Sequence, residues 1–201
     1  MQTDDHNREK TKLVLVHGIF NTRSVMIWMK KQFESQGFEC FTPTLKPFDG
    51  RKGVEYAANN LKNQIDNRYG EHQTIVVIGY SMGGIVARYY LQHLEGYSRT
   101  SHLFTVSSPH RGSYTAYLPY PSKAMKQLRP DSDLLRSLDE SVGKLDGLKL
   151  YSYRTSIDCI VIPSTSSHWD LAENKKFFVI MHLFMIFSRK ITNEILARLN
   201  E

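Results

Sequence analysis

Residues 75–84 read Ile75-Val76-Val77-Ile78-Gly79-Tyr80-Ser81-Met82-Gly83-Gly84. Four consecutive β-branched residues predict a buried strand, and from Met82 onward the apolar positions Ile85, Val86, Tyr89, Tyr90 and Leu94 recur at helical spacing. Nothing between the two is long enough to be a loop, so the chain must pass from strand to helix in one sharp turn, with Gly-x-Ser-x-Gly at its apex. Side chains two positions either side of that apex have no space, which accounts for Gly79 and Gly83. The turn should hold Ser81 in a strained conformation costing about 1–3 kcal/mol. It should also lift the hydroxyl above the sheet, at a helix N-terminus whose dipole favours developing negative charge. Gly96 is expected to cap the far end of the helix.

Working outward, Leu13–Val16, Leu103–Val106, Leu148–Tyr153 and Phe177–Met181 are further short runs rich in β-branched and aromatic residues, apolar on both faces as buried parallel strands are. Between the first of these and Ile75, Val54, Ala57, Ala58, Leu61 and Ile65 share one helical face. Strand and helix alternate, which predicts an α/β fold: a mostly parallel central sheet covered by helices on both faces. Ligands in such sheets bind beyond the carboxyl ends of the strands.

The chain has 201 residues, 41% of them hydrophobic and 23% charged, which suits one domain spanning 1–201 and excludes a fibrous or disordered class. The net charge of +6 is spread in pairs such as Lys30-Lys31, Lys175-Lys176 and Arg189-Lys190, so no nucleic-acid arm is expected and only transient contact with a lipid surface is. The N-terminus, MQTDDHNREK, has no apolar core of a secretory signal, so a cytoplasmic location is expected. The longest apolar stretch, 177–187, is interrupted by His182 and too short to cross a bilayer; it predicts a buried strand running into a loop. Cys40 and Cys159 have no metal-ligand spacing.

Three segments in this order, Leu13-Val14-Leu15-Val16-His17-Gly18-Ile19-Phe20, then Gly79 to Gly84, then Thr105-Val106-Ser107-Ser108-Pro109-His110-Arg111-Gly112-Ser113, resemble the α/β-hydrolase superfamily and in particular its small bacterial-type triacylglycerol lipases and esterases. The resemblance runs from about Lys12 to Leu199 and implies a minimal hydrolase fold acting through a serine nucleophile, with no cofactor and no metal. A serine hydroxyl needs an adjacent base that is itself oriented by an acid, and in this fold the chain order is nucleophile, acid, histidine.

That order leaves His110, His168 and His182 as candidate bases. His182 follows the last strand and precedes a helix near Ser188, where the resemblance places the base; His168 lies in a Ser-rich loop and His110 precedes the acids. Asp158, after the strand 148–156 and before Cys159-Ile160-Val161-Ile162-Pro163, resembles the acid loop, with Asp170 as the alternative; Asp131, Asp133, Asp139 and Asp146 lie in a polar helical stretch and are expected to be solvated. The acid fixes the imidazole tautomer and steadies the imidazolium. By the same resemblance the backbone N–H groups of Ile19 and Met82 form the oxyanion hole, each donor worth about 3–4 kcal/mol. His17 is expected to brace the turn. With the family's strand order Cys40 and Cys159 are about four strand spacings apart, so both should be free thiols.

About 35 residues, 114–148, remain for a lid or crossover. Leu128, Leu134, Leu135, Leu138 and Leu145 predict a surface helix resting on the core, and Tyr114 and Tyr117, with Phe20, are candidates to line an acyl groove, although ordinary packing explains them equally well. The reading that results is a serine carboxylic-ester hydrolase with Ser81, Asp158 and His182. An acyltransferase or thioesterase with the same nucleophile, and a silent hydrolase-fold binding protein, are the alternatives.

Overall fold

The computed structural model describes residues 12–201; the polar N-terminal segment and His6 lie outside them. Six strands, β1 (Lys12–Val16), β2 (Glu39–Phe41), β3 (Ile75–Tyr80), β4 (Thr100–Val106), β5 (Lys149–Ile157) and β6 (Glu173–Ile180), form one parallel sheet in the order β2-β1-β3-β4-β5-β6. The register Val16↔Gly79 and Tyr80↔Val106 brings the carboxyl ends of β1, β3 and β4 side by side beneath Ser81.

Period-two alternation decides which side chain goes where. Val14, Val16, Val77, Leu103 and Leu150 face one layer, made by α2 (Val54–Tyr69), α3 (Met82–His93), α4 (Lys123–Gln127) and α5 (Asp133–Glu140). Leu13, Leu15, Val76, Ile78, Phe104 and Tyr153 face the other, where α1 (Ile27–Glu34) contributes Met29 and Phe33 and α6 (Arg189–Leu199) contributes Ile191 and Ile195. The five expected leucines of segment 114–148 are all buried in the first layer. They seat α5 against α3, and α4 against α2; the segment meets the loops at the carboxyl ends through Tyr120, which packs on Phe20, and through Ser122 and Ala124, which pack against Gly50 beside Ile19.

Two expectations are corrected. The run Phe177–Met181 is not a strand buried on both faces: β6 is the sheet's edge, only Phe177 of its apolar side chains is buried, and Phe178 is 78% exposed. An apolar run reports hydrophobicity without reporting whether a helix covers each face. Nor does Gly96 cap α3. Leu94 holds that place and the left-handed residue is Glu95, φ 62°. Gly96 is small because a Cβ there would meet the Tyr90 ring at 2.4 Å. Cys40 is buried and Cys159 exposed, and both are free, as expected.

Candidate active site

The turn after β3 has the conformation its sequence requires. Ser81 has φ 55° and ψ −129°, a region L-residues rarely occupy, and its N–H is held by the Val106 carbonyl at 2.9 Å. The compactness is severe: a Cβ on Gly79 would lie 2.5 Å from the Gly84 Cα, one on Gly83 2.3 Å from the Val16 carbonyl oxygen, and one on Gly18 2.9 Å from the Ser81 Cβ. Positive φ also occurs at Phe20, Ser107 and Met181, so the loops leaving β1, β3, β4 and β6 each carry one strained non-glycine residue at the same edge of the sheet. Such strain, about 1–3 kcal/mol each, is typical of places where geometry is over-determined.

At the far side of this edge the Asp158 Oδ2 accepts a hydrogen bond from His182 Nδ1 at 2.8 Å. Both side chains are nearly inaccessible, 2% and 6% exposed. The second carboxylate oxygen, Oδ1, accepts from the N–H groups of Ile160 (2.9 Å) and Val161 (2.8 Å), which fixes the carboxyl plane. Burial pushes the Asp158 carboxyl up, but the His182 hydrogen bond and charge together with the two N–H groups outweigh it and leave it below the ordinary value. With Nδ1 so engaged, the free lone pair of the neutral ring is on Nε2, which is buried and has no hydrogen-bond partner among the described residues. The ring lies 5.0 Å from that of Tyr80, the residue before Ser81. Asp158 is thus brought to His182 across 24 residues of sequence.

The two N–H groups expected to face an oxyanion are available. Met82 opens α3, where the first N–H has no intrahelical acceptor. Ile19 follows Gly18, and the turn there is closed by the next residue, whose N–H (Phe20) donates to the Phe48 carbonyl at 2.7 Å. Among the described residues neither the Ile19 nor the Met82 N–H has an acceptor. His17 braces this turn as expected. The Leu45 N–H donates to its Nε2 (3.0 Å), so the proton is on Nδ1, which donates to the Gly18 carbonyl (2.8 Å).

The other candidates are placed elsewhere. His168 and Arg111 both pair with Asp170 on the surface, at 3.2 and 2.8 Å, so neither alternative, His168 nor Asp170, joins the Asp158–His182 pair. Phe20 is half exposed and packs edge-on against Tyr120 at 4.9 Å. Tyr114 is exposed, its N–H bound to the Ile162 carbonyl. Tyr117 lies under the Arg129 guanidinium, 4.7 Å from the ring centre.

The sequence did not disclose the network behind the turn. Arg88, on α3, is fully buried; it donates to the carboxylate of Asp139 (2.9 Å), to Gln92 and to His110 Nδ1 (3.3 Å), and stacks over Trp169. Asp139 is therefore an ion-pair partner rather than a merely solvated carboxylate. An arginine outside the apolar stripe of a helix gives no sequence signal of distant partners, and Asp139, His110 and Trp169 come from α5 and the β4 and β5 loops. His110 consequently carries its proton on Nε2 and donates to Thr105 Oγ1 (2.9 Å), locking the loop after β4.

Burial, aided by the charges of Arg88 and Arg111, holds His110 well below its ordinary pKa; burial also lowers His17, and lowers His102 to about 4. The unfolded chain takes up these protons near pH 6.5 and the folded chain does not, so stability is full above that value and declines as pH falls below it. Each such histidine contributes about 1.4 kcal/mol per pH unit in that window. Urea unfolding at pH 7, 6 and 5 should show the midpoint falling at each step, and His110→Asn should flatten the decline by about one proton. A midpoint independent of pH contradicts the assignment.

Against known proteins, the chain matches the family described as "PGAP1-like alpha/beta domain" over residues 49–196, a span that contains Ser81, Asp158 and His182 and begins after β1 and β2. No curated protein matches the sequence significantly. Among solved structures, the mature lipase BlEst2 of Bacillus licheniformis superposes with a TM-score of 0.77 at 18% identity, covering 95% of this chain and 92% of that one. A lipase-esterase related protein of Clostridium acetobutylicum gives 0.66 at 16% identity, with 94% of both chains covered. A structure reported with LipS and LipT, two metagenome-derived lipolytic enzymes, gives 0.72 at 13%, covering 94% and 93%. These likenesses confirm the α/β-hydrolase fold, and the chain belongs to the PGAP1-like α/β domain family.

Proposed function

We propose that the protein is a serine carboxylic-ester hydrolase of lipase or esterase type, acting through an acyl-enzyme on Ser81. The observation that carries this reading is the buried Asp158–His182 hydrogen bond, which leaves Nε2 free at the edge of the sheet where Ser81 is held in a strained turn.

In the reaction, Ser81 Oγ attacks the ester carbonyl carbon and its proton passes to His182 Nε2. The negative charge that develops on the carbonyl oxygen is met by the N–H groups of Ile19 and Met82, fixed in place before substrate arrives. Collapse of the tetrahedral species breaks the carbon–oxygen bond to the alcohol, which leaves with the proton from Nε2. Water then attacks the acyl-enzyme with Nε2 again taking the proton, and Ser81 is regenerated as the acid departs. Asp158 keeps its charge throughout and steadies the imidazolium. Phe20, Tyr114 and Tyr117 are proposed to border the acyl chain. They lie on loops leaving β1 and β4 and are exposed.

Rapid mixing with p-nitrophenyl esters of increasing chain length tests this. A burst of p-nitrophenol approaching one equivalent of enzyme is expected before the steady state. An added alcohol, amine or thiol should divert only a minor share of the acyl group. If most of it is diverted, the activity is acyl transfer; if no ester or thioester turns over in a folded sample, the reading fails.

A further inference from the structure

The edge strand β6 and the carboxyl end of β5 leave apolar side chains uncovered. In the pairing of β5 with β6, Arg154 lies opposite Lys176 and Ile157 opposite Ile180. Phe177 enters the core beneath α6 and Val179 packs against the same cluster, so by alternation Lys176 and Phe178 point the other way, while Ile180 lies past a register shift opposite Ile157. Phe178 is 78% and Ile180 60% exposed. Apolar exposure continues into the loops: Ile157 and Ile160 lie on either side of Asp158, while Met181 precedes and Phe184 closely follows His182. Single exposed apolar residues are ordinary, but a contiguous run at the ends of two paired strands marks a surface that something covers.

The charge pattern selects what covers it. Residues 174–190 contain four basic residues and no acidic one. Lys175 is tied to Glu194, whereas Lys176 is exposed beside Phe178. Arg189 and Lys190 open α6 with no acidic residue in its first turn and no side-chain cap. Cations are disfavoured at a helix N-terminus, and among the described residues the ion pairs of α6 run from Glu194 and Arg198 instead. A second copy of the chain pairing along the β6 edge would set these lysines against their own images. An anionic lipid surface presents the opposite charge and an apolar interior together.

We infer that this end of the sheet docks on an anionic phospholipid bilayer. Phe178, Ile180, Met181 and Phe184 enter the boundary between headgroups and acyl chains, and Lys176, Arg189 and Lys190 sit on lipid phosphates. The loops that carry Asp158 and His182 then face the bilayer, so an ester reaches the site without crossing bulk water. The purpose of the docking rests on the ester-hydrolase reading; its measurement does not.

Sedimentation of the protein with vesicles of phosphatidylcholine alone, and of phosphatidylcholine with about 30% phosphatidylglycerol, tests it. Wild type is expected to partition onto the anionic vesicles at least about tenfold more strongly than onto neutral ones, and to be released by salt. Phe178→Ser with Ile180→Ser should weaken that partition at least about tenfold, as should Lys176→Glu with Lys190→Glu. Melting temperature and hydrolysis of water-soluble p-nitrophenyl acetate should not change in either pair. No partition of wild type onto either vesicle, equal partition of wild type and both variants, or a dimer in light scattering that Phe178→Ser with Ile180→Ser dissolves would each overturn the inference. Vesicle binding without ester hydrolysis would leave the docking standing and defeat the catalytic reading; hydrolysis without binding would do the reverse.

Discussion

Replacing Ser81 with Ala is expected to lower kcat/KM for p-nitrophenyl esters by roughly 10⁴–10⁶-fold with little change in stability. The stability part follows because Ala must adopt the same φ of 55° and loses only a hydroxyl. His182→Ala should cost a similar factor, and the double variant should be no worse than either single one. Nucleophile and base act as a unit, and once one is gone the other has nothing to do. Asp158→Asn should cost about 10⁴-fold for a different reason. Its carboxylate accepts from Nδ1 at 2.8 Å and so keeps the lone pair on Nε2; an amide in its place can donate to Nδ1 and hold the proton on the wrong nitrogen. Steady-state kinetics of the three single variants and the double one check this, with circular dichroism to show that each is folded. Losses that multiply in the double variant would mean that Ser81 and His182 do not share a step.

The second large effect is on the turn itself. Gly83→Ala places a methyl group 2.3 Å from the Val16 carbonyl oxygen and 2.6 Å from that of His17. Both are backbone atoms at the buried carboxyl end of β1, so neither can swing aside, and the start of α3 must move off β1 instead. Overpacking of this kind costs about 3 kcal/mol or more, which for a chain of this size is a fall in Tm of roughly 6–12 °C. The same movement carries the Met82 N–H away from the Ile19 N–H, so esterase activity should drop at least about 100-fold even where the variant is folded. Gly143→Ala is the control: a Cβ there meets nothing within 4 Å, and stability should stay within about 0.5 kcal/mol of wild type. Thermal melts and kinetics of the two variants side by side separate steric collision from the general effect of adding a methyl group.

What the sequence made legible was whatever has one short-range solution. A strand, a Gly-x-Ser-x-Gly turn and a helix with no intervening loop can be built in very few ways, so the geometry around Ser81 follows from residues 75–84 alone. Chain order then narrowed the remaining partners to few residues, and the structure joins two of those, Asp158 and His182, by a hydrogen bond. Illegible was whatever depends on which surfaces meet. The apolar run at 177–181 looked like core because hydrophobicity does not say that no helix covers the second face of β6. Gly96 looked like a cap because its true constraint, the Tyr90 ring, is a contact made across the fold of the chain. Arg88 and Asp139, 51 residues apart, gave no sign of each other, and their ion pair exists only because α5 is folded back over α3.

The central claim is that Ser81 becomes acylated. Its most direct test is to incubate the protein with a fluorophosphonate probe and map the adduct by peptide mass spectrometry. One adduct per chain is predicted, on the peptide containing Ser81, absent from Ser81→Ala and formed far more slowly in His182→Ala. Ester turnover with Ser81 unmodified, or an adduct on another serine such as Ser108, would contradict the account.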